Sequence, residues 1–81
     1  MKPEIWDQLK GITSGEIIAA LQKDGWTERA SGGSAVIFKK NNFRVSIHSH
    51  PHKTYGPGQL GDLFKYIGWT EQDLRRLKLI K

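Results

Sequence analysis

The sequence predicts an α+β domain in which a three-stranded antiparallel sheet carries helices on one of its faces. Three observations favour this fold class. Two stretches of alternating apolar and polar residues, 35–40 and 43–48, flank an Asn-Asn pair, which is typical of a β-hairpin. Apolar residues recur at helical spacing before this hairpin and after it. The 81 residues suffice for one small hydrophobic core, so we expect a single domain spanning residues 1–81.

Two helices are expected before the first strand. Residues 2–10 carry an apolar stripe and predict a short helix. Thr13 and Glu16 then have the spacing of a capping box, which predicts a second helix over residues 14–24. Gly25 ends that helix, because glycine readily adopts the left-handed conformation of a helix cap.

The hairpin allows its register to be worked out. Residues 26–29 predict a short strand and 30–34 a polar loop, after which the two longer strands begin. A two-residue turn at Asn41-Asn42 pairs residue 40 with 43 and, further along, Ala35 with His48. Cross-strand partners share a face. The buried face should hold Val36, Phe38, Phe43, Val45 and Ile47, and the exposed face Ala35, Ile37, Lys39, Arg44, Ser46 and His48.

Two helices are expected after the sheet. The first begins after Pro57-Gly58, carries an apolar stripe at i, i+3, i+4 and i+7, and ends at Gly68. Thr70 and Asp73 form a second capping box, with Leu77 and Ile80 continuing the stripe that follows it. The order α-β-β-β-α with a further C-terminal helix is the layout of double-stranded-RNA-binding-like domains. The three tryptophans occupy positions that favour packing in the core.

The positive charge of the chain lies in its middle. The net charge is +5, and residues 29–61 hold five basic and no acidic side chains. Such a stretch suits a polyanion, most simply RNA, because neutralising phosphates releases counterions. A basic surface that only aids solubility remains the alternative. No cysteine is present and no apolar run approaches the roughly 20 residues that span a bilayer, so we expect a cytoplasmic protein without a membrane partner.

The histidines and the glycine-serine loop are the candidates for chemistry. His48, His50 and His52 alternate, but Pro51 interrupts the strand and no acidic residue or cysteine lies nearby, so we expect neither a metal nor a cofactor. The loop around Gly33 precedes a strand rather than a helix and lacks the P-loop lysine, which favours close approach of an RNA backbone over nucleotide binding. The RNA-binding residues are therefore predicted to be Arg29, Gly33, Ser34, Lys39, Lys40 and Arg44.

Several motifs in this order resemble the HicA-type mRNA interferase toxins. They are the K-D-G-W turn, the segment G-G-S-A-V-I-F, the hairpin, a histidine eight residues before Gly58 (His50), and P-G-Q-L opening a helix. The resemblance covers residues 13–67. It implies a double-stranded-RNA-binding-like fold, metal-independent endoribonuclease cleavage of mRNA that blocks translation, and a HicB-type antitoxin that covers the active site as a hetero-oligomer with the toxin.

Ala35 departs from that family. The resemblance implies a catalytic histidine directly after the Gly-Ser pair, where this chain has alanine. An imidazole can remove or donate a proton during RNA cleavage and a methyl group cannot. We therefore expect RNA and antitoxin binding with little or no cleavage, and His48 or His50 as the group that assists the missing histidine. An engineered His-to-Ala change, which the intact flanking motifs favour, and a natural inactive paralogue both explain Ala35.

Two functions of other classes remain open on the sequence. A non-catalytic RNA-binding module needs only the basic sheet face and the fold. A protein-interaction domain would use the same basic surface to meet an acidic partner.

Overall fold

The computed structural model describes residues 2–29, 35–48 and 52–81, which form four helices and three strands. The predicted loop 30–34 and residues 49–51 lie outside the described residues. The elements in order are α1 Pro3–Leu9, α2 Ser14–Lys23, β1 Thr27–Arg29, β2 Ala35–Lys40, β3 Phe43–His48, α3 Pro57–Ile67 and α4 Glu71–Arg76. This is the predicted α+β, double-stranded-RNA-binding-like fold.

The sheet is antiparallel with β2 in its centre and β1 and β3 at its edges. The predicted hairpin register is confirmed, from Lys40 opposite Phe43 to Ala35 opposite His48. Asn41 takes a φ of +56°, the left-handed conformation that asparagine tolerates in a tight turn. On the other side of β2, Arg29 pairs with Ile37 and Thr27 with Lys39. The β1 register therefore assigns Arg29 to the same face as Lys39.

Both predicted capping boxes fix the starts of their helices. The Thr13 hydroxyl accepts a hydrogen bond from the Glu16 backbone N–H, and the Thr13 backbone N–H donates to the Glu16 side chain. Thr70 and Asp73 make the same reciprocal pair at α4. Two backbone N–H groups that lack helical partners are satisfied at each helix start.

The core lies between the helices and one face of the sheet. Its most buried side chains come from α1, α2, β2, β3 and α3, and Val36 packs against them while half-buried. Fully buried members include Ile17, Leu21, Phe38, Ile47 and Leu60. Trp26 and Trp69 are buried and Trp6 packs against the core, as predicted.

Phe43 was predicted to be buried, and this prediction is wrong: 59% of the residue is exposed. It occupies the predicted face but lies beside the hairpin turn. There it lines a shallow groove with Ile67 and Gly68, where α3 ends. The ring is uncovered because the helix stops before passing over it.

The helices at the two ends of the chain pack on each other. Ile5 and Leu9 of α1 share the core with Leu74, Leu77 and Ile80. The helix α4 ends at Arg76, earlier than its apolar stripe, because Lys78 takes a φ of +62°. The chain then turns so that the Lys81 backbone N–H donates to Gln8 Oε1 at 2.6 Å. Among the described residues, none of the helices has the length and apolar character needed to cross a membrane.

Candidate nucleic-acid interface

The side of the sheet away from the helices, here called the polar face, is organised in three cross-strand rows. The first row is Thr27, Lys39 and Arg44, the second is Arg29, Ile37 and Ser46, and the third is Ala35 with its register partner His48. Directly opposite residues have Cβ atoms about 4.5–5.5 Å apart. The register thus gathers three basic residues from three different strands into two adjacent rows.

The three cations of the polar face are Arg29, Lys39 and Arg44, and all are exposed. Among residues 2–29, 35–48 and 52–81, none of them makes an ion pair. Lys39 lies directly opposite Arg44, an arrangement of like charges that destabilises a sheet. A surface that keeps such a pair without an acidic neighbour in its rows is suited to an anionic ligand.

Ala35 is the first residue of β2 and is half-buried. Lys39 lies four residues further along the strand, a distance of about 13 Å at roughly 3.3 Å per residue. A phosphate at position 35 would therefore lie well away from the Cα atoms of Lys39 and Arg44. Position 35 and these cations therefore occupy different parts of the polar face.

Lys40 was predicted to bind RNA with Lys39, but the structure directs it elsewhere. It lies on the helix-covered face of the sheet, where its Nζ donates to the backbone oxygen of Asp24 at 2.8 Å. The same Nζ lies 3.4 Å from Asp24 Oδ2. Lys40 is therefore separated from the polar face and contributes to the packing of the helices.

The remaining predicted site residues give less information. Gly33, Ser34 and His50 lie outside the described residues, so their roles stay predictions. His52 is exposed. Within the described part of the chain, no group of three His, Cys, Asp or Glu side chains could hold a metal ion.

Sequence reasoning missed a second polar centre, the Asp24 cluster, which consists of Asp24, Trp26, Lys40, Trp69 and Arg76. Both indole N–H groups donate to Asp24 Oδ2, at 2.8 Å from Trp69 and 3.2 Å from Trp26. Arg76 Nη2 donates to Oδ1 at 2.6 Å. One carboxylate thus joins the end of α2, the start of β1, the end of β2 and the helix α4.

The pKa of Asp24 reports these contacts. Burial of the carboxyl raises its pKa, but the hydrogen bonds from Trp69, Arg76 and Trp26 and the charge of Lys40 lower it by more. The result is a pKa below the ordinary value, so Asp24 is ionised at neutral pH. One signal in the sequence was available, since an acidic residue at a helix C-terminus opposes the helix dipole and needs another partner.

Comparison with known proteins identifies the family. A family model described as HicA toxin of bacterial toxin-antitoxin matches residues 14–69, more than half of the chain. The matched stretch runs from α2 through the sheet and α3 to Trp69, and α1 and α4 lie outside it. Neither the search of curated proteins nor that of solved structures returned a match.

Proposed function

The chain belongs to the HicA toxin family of bacterial toxin-antitoxin systems, and on this premise we propose that it has the scaffold of a metal-independent mRNA endoribonuclease. The observation that carries the proposal is the polar face, where Ala35 and His48 are register partners on the same sheet as three exposed cations. Membership also implies a cognate antitoxin. We propose that this partner is of the HicB type, that it covers the polar face, and that the toxin acts in the cytoplasm.

Arg29, Lys39 and Arg44 are the proposed phosphate contacts. Their ammonium and guanidinium groups lack internal partners in the described residues, so an RNA backbone would neutralise them and release counterions. Arg29 lies in the row next to that of position 35, and Lys39 and Arg44 lie in the row beyond it. This spacing would hold the RNA strand on one side of the bond to be cut.

Position 35 is the proposed place of the catalytic acid or base. In RNA cleavage a base removes the proton of a ribose 2′-OH and an acid protonates the leaving 5′-oxygen. Ala35 can perform neither step, so the chain as written should bind RNA without cutting it efficiently. His48, its register partner, and His50 are the proposed second groups, of which one would assist a histidine at position 35.

The decisive test compares RNA cleavage by the chain, by Ala35→His and by Ala35→Asn, each with and without a metal chelator. Only Ala35→His should cleave, and its rate should titrate near the ordinary histidine pKa of about 6.5. Ala35→Asn controls for a larger polar side chain that cannot transfer a proton. If none of the three proteins cleaved RNA but all still bound it, the chain would be a non-catalytic RNA-binding module rather than a ribonuclease.

The phosphate contacts have a separate test. Lys39→Ala and Arg44→Ala should each weaken RNA binding and reduce the dependence of log K on log salt by about 0.7 for a single strand. Lys23→Ala is the matched control, because Lys23 is an exposed cation on α2 and not on a strand. Unchanged affinity and salt dependence in both sheet variants would show that RNA does not bind the polar face.

A further inference from the structure

A groove crosses the outer edge of β3 and joins the polar face to the helix α3. Its lining residues are Ile37, Arg44, Val45, Ser46, Asp62, Leu63 and Tyr66. Arg44 and Ser46 belong to the polar face, and the last three belong to α3. The groove is therefore continuous with the polar face, the surface proposed to bind RNA.

Tyr66 is the prominent feature of this groove. It is 61% exposed, one of two large apolar residues exposed among those described, and the other is Phe43. It lies outside the buried stripe of Leu60, Phe64 and Ile67, so its ring does not contribute a buried face to the core. Its hydroxyl has no hydrogen-bond partner in the described part of the chain, which leaves the ring available to a ligand.

We propose that Tyr66 is a stacking platform for one base of a single-stranded RNA whose backbone lies on the polar face. This inference rests on the proposed function and narrows its substrate class. A single strand can turn a base out of its stack onto an aromatic ring, whereas the bases of a duplex are already stacked on each other. Cations that hold the backbone beside an aromatic ring are the usual arrangement of single-strand binding sites.

The charges in the groove support a base, rather than a phosphate, beside Tyr66. Asp62 lies on α3 in the same groove and would repel a phosphate there. The amino groups of bases are donors that a carboxylate accepts. Leu63 and Ile37 add apolar surface under a planar ligand. Within the groove, Arg44 on β3 would hold the RNA backbone, and Tyr66, Leu63 and Asp62 on α3 would contact the base.

A strand of the antitoxin, added to the edge of β3, is the competing occupant. Edge strands present unpaired backbone groups that can bind an extended peptide. Arg44 in the groove and Lys39 opposite it, both without an ion-pair partner among the described residues, favour RNA. If RNA occupies the groove, a change at Tyr66 should weaken RNA binding. If the antitoxin occupies it, the same change should weaken antitoxin binding.

The experiment measures binding of a single-stranded RNA oligonucleotide and of the same sequence as a duplex to the chain, to Tyr66→Ala, to Tyr66→Phe and to Phe43→Ala. Tyr66→Ala should weaken single-strand binding by about 5- to 100-fold, the effect of losing one stacked base, and leave duplex binding unchanged. Tyr66→Phe keeps the ring and should bind as the unaltered chain does. Phe43→Ala removes an equally exposed ring on the other face and should have no effect.

Three outcomes would overturn the inference. Unchanged binding by Tyr66→Ala, while Lys39→Ala and Arg44→Ala still weaken it, would refute the stacking role alone and leave the proposed function intact. Loss of antitoxin binding by Tyr66→Ala without loss of RNA would assign the groove to the protein partner. Absence of RNA binding by the unaltered chain would refute the proposed function together with this inference.

Discussion

Replacing Asp24 tests whether one carboxylate holds the helices to the sheet. Asp24→Ala removes the acceptor of two indole N–H groups and two cationic side chains. Trp26 and Trp69 are 6% and 8% exposed, so water cannot replace the lost acceptor, at a cost of about 1–3 kcal/mol for each indole. The side chains of Lys40 and Arg76 are 39% and 52% exposed and would turn to solvent at little cost.

The expected loss for Asp24→Ala is therefore about 2–5 kcal/mol of the free energy of unfolding. A chain of this length has a total of about 4–12 kcal/mol, so the variant should be severely destabilised. Asp24→Asn keeps a carbonyl oxygen for the indoles but turns an amide N–H toward Arg76. It should lose about 1–2 kcal/mol. Urea unfolding at pH 7 measures both, with the slope m unchanged.

The pH dependence of Asp24→Asn supplies an independent check. The native pKa of Asp24 lies below its unfolded value, so its stabilising contribution is complete above the unfolded pKa of about 3.9 and is lost as the pH falls through the native pKa. The difference in stability between the chain and Asp24→Asn should be constant above about pH 5 and shrink below about pH 4. Asp7→Asn is the matched control, because Asp7 is exposed. Equal stability of the chain and Asp24→Asn at pH 7 would refute the role of the cluster.

Three further changes test local structure by the same urea measurement. Tyr55→Phe leaves the fully buried Ser14 hydroxyl without its hydrogen-bond partner at 2.9 Å and should lower the free energy of unfolding by about 1–3 kcal/mol. The double variant with Ser14→Ala should restore part of this loss, and a double variant as unstable as Tyr55→Phe would contradict the reasoning. Gly61→Ala should stabilise α3 by about 0.5–1 kcal/mol, because its new Cβ meets open space. Gly68→Ala, at a φ of +89°, should instead destabilise by about 1 kcal/mol, and effects of the same sign would be evidence against this reasoning. Thr70→Ala should cost about 1 kcal/mol by removing the α4 cap, and an unchanged midpoint would mean that the cap does not stabilise the fold.

The hairpin and the helix starts were predictable because their signals are local. A two-residue turn fixes every pair of the β2 and β3 register, which is why the pairing of Ala35 with His48 followed from counting residues. The capping boxes of Thr13 and Thr70 lie within four residues of sequence. Contacts of this kind do not depend on how the rest of the chain folds.

What the sequence did not reveal depends on contacts between distant residues. The Asp24 cluster joins residues 45 and 52 positions apart, and no local pattern specifies which donors reach one carboxylate. The same cluster draws Lys40 away from the predicted RNA contacts. Arg29 was among the predicted RNA contacts, but its position on the polar face follows from the β1 register, which no short turn fixes. The exposure of Phe43 depends on where α3 stops.

The packing of α1 near α4 means that the core cannot be completed until the C-terminal residues have been synthesised. Leu74, Leu77 and Ile80 complete the core, and the contact of Lys81 with Gln8 spans 73 positions. Long-range contacts form late, and synthesis proceeds at about 5–20 residues per second. A nascent chain that stops before residue 74 therefore lacks part of its core and the Arg76 partner of Asp24. Copies truncated before residue 74 should therefore be much less stable than the 81-residue chain.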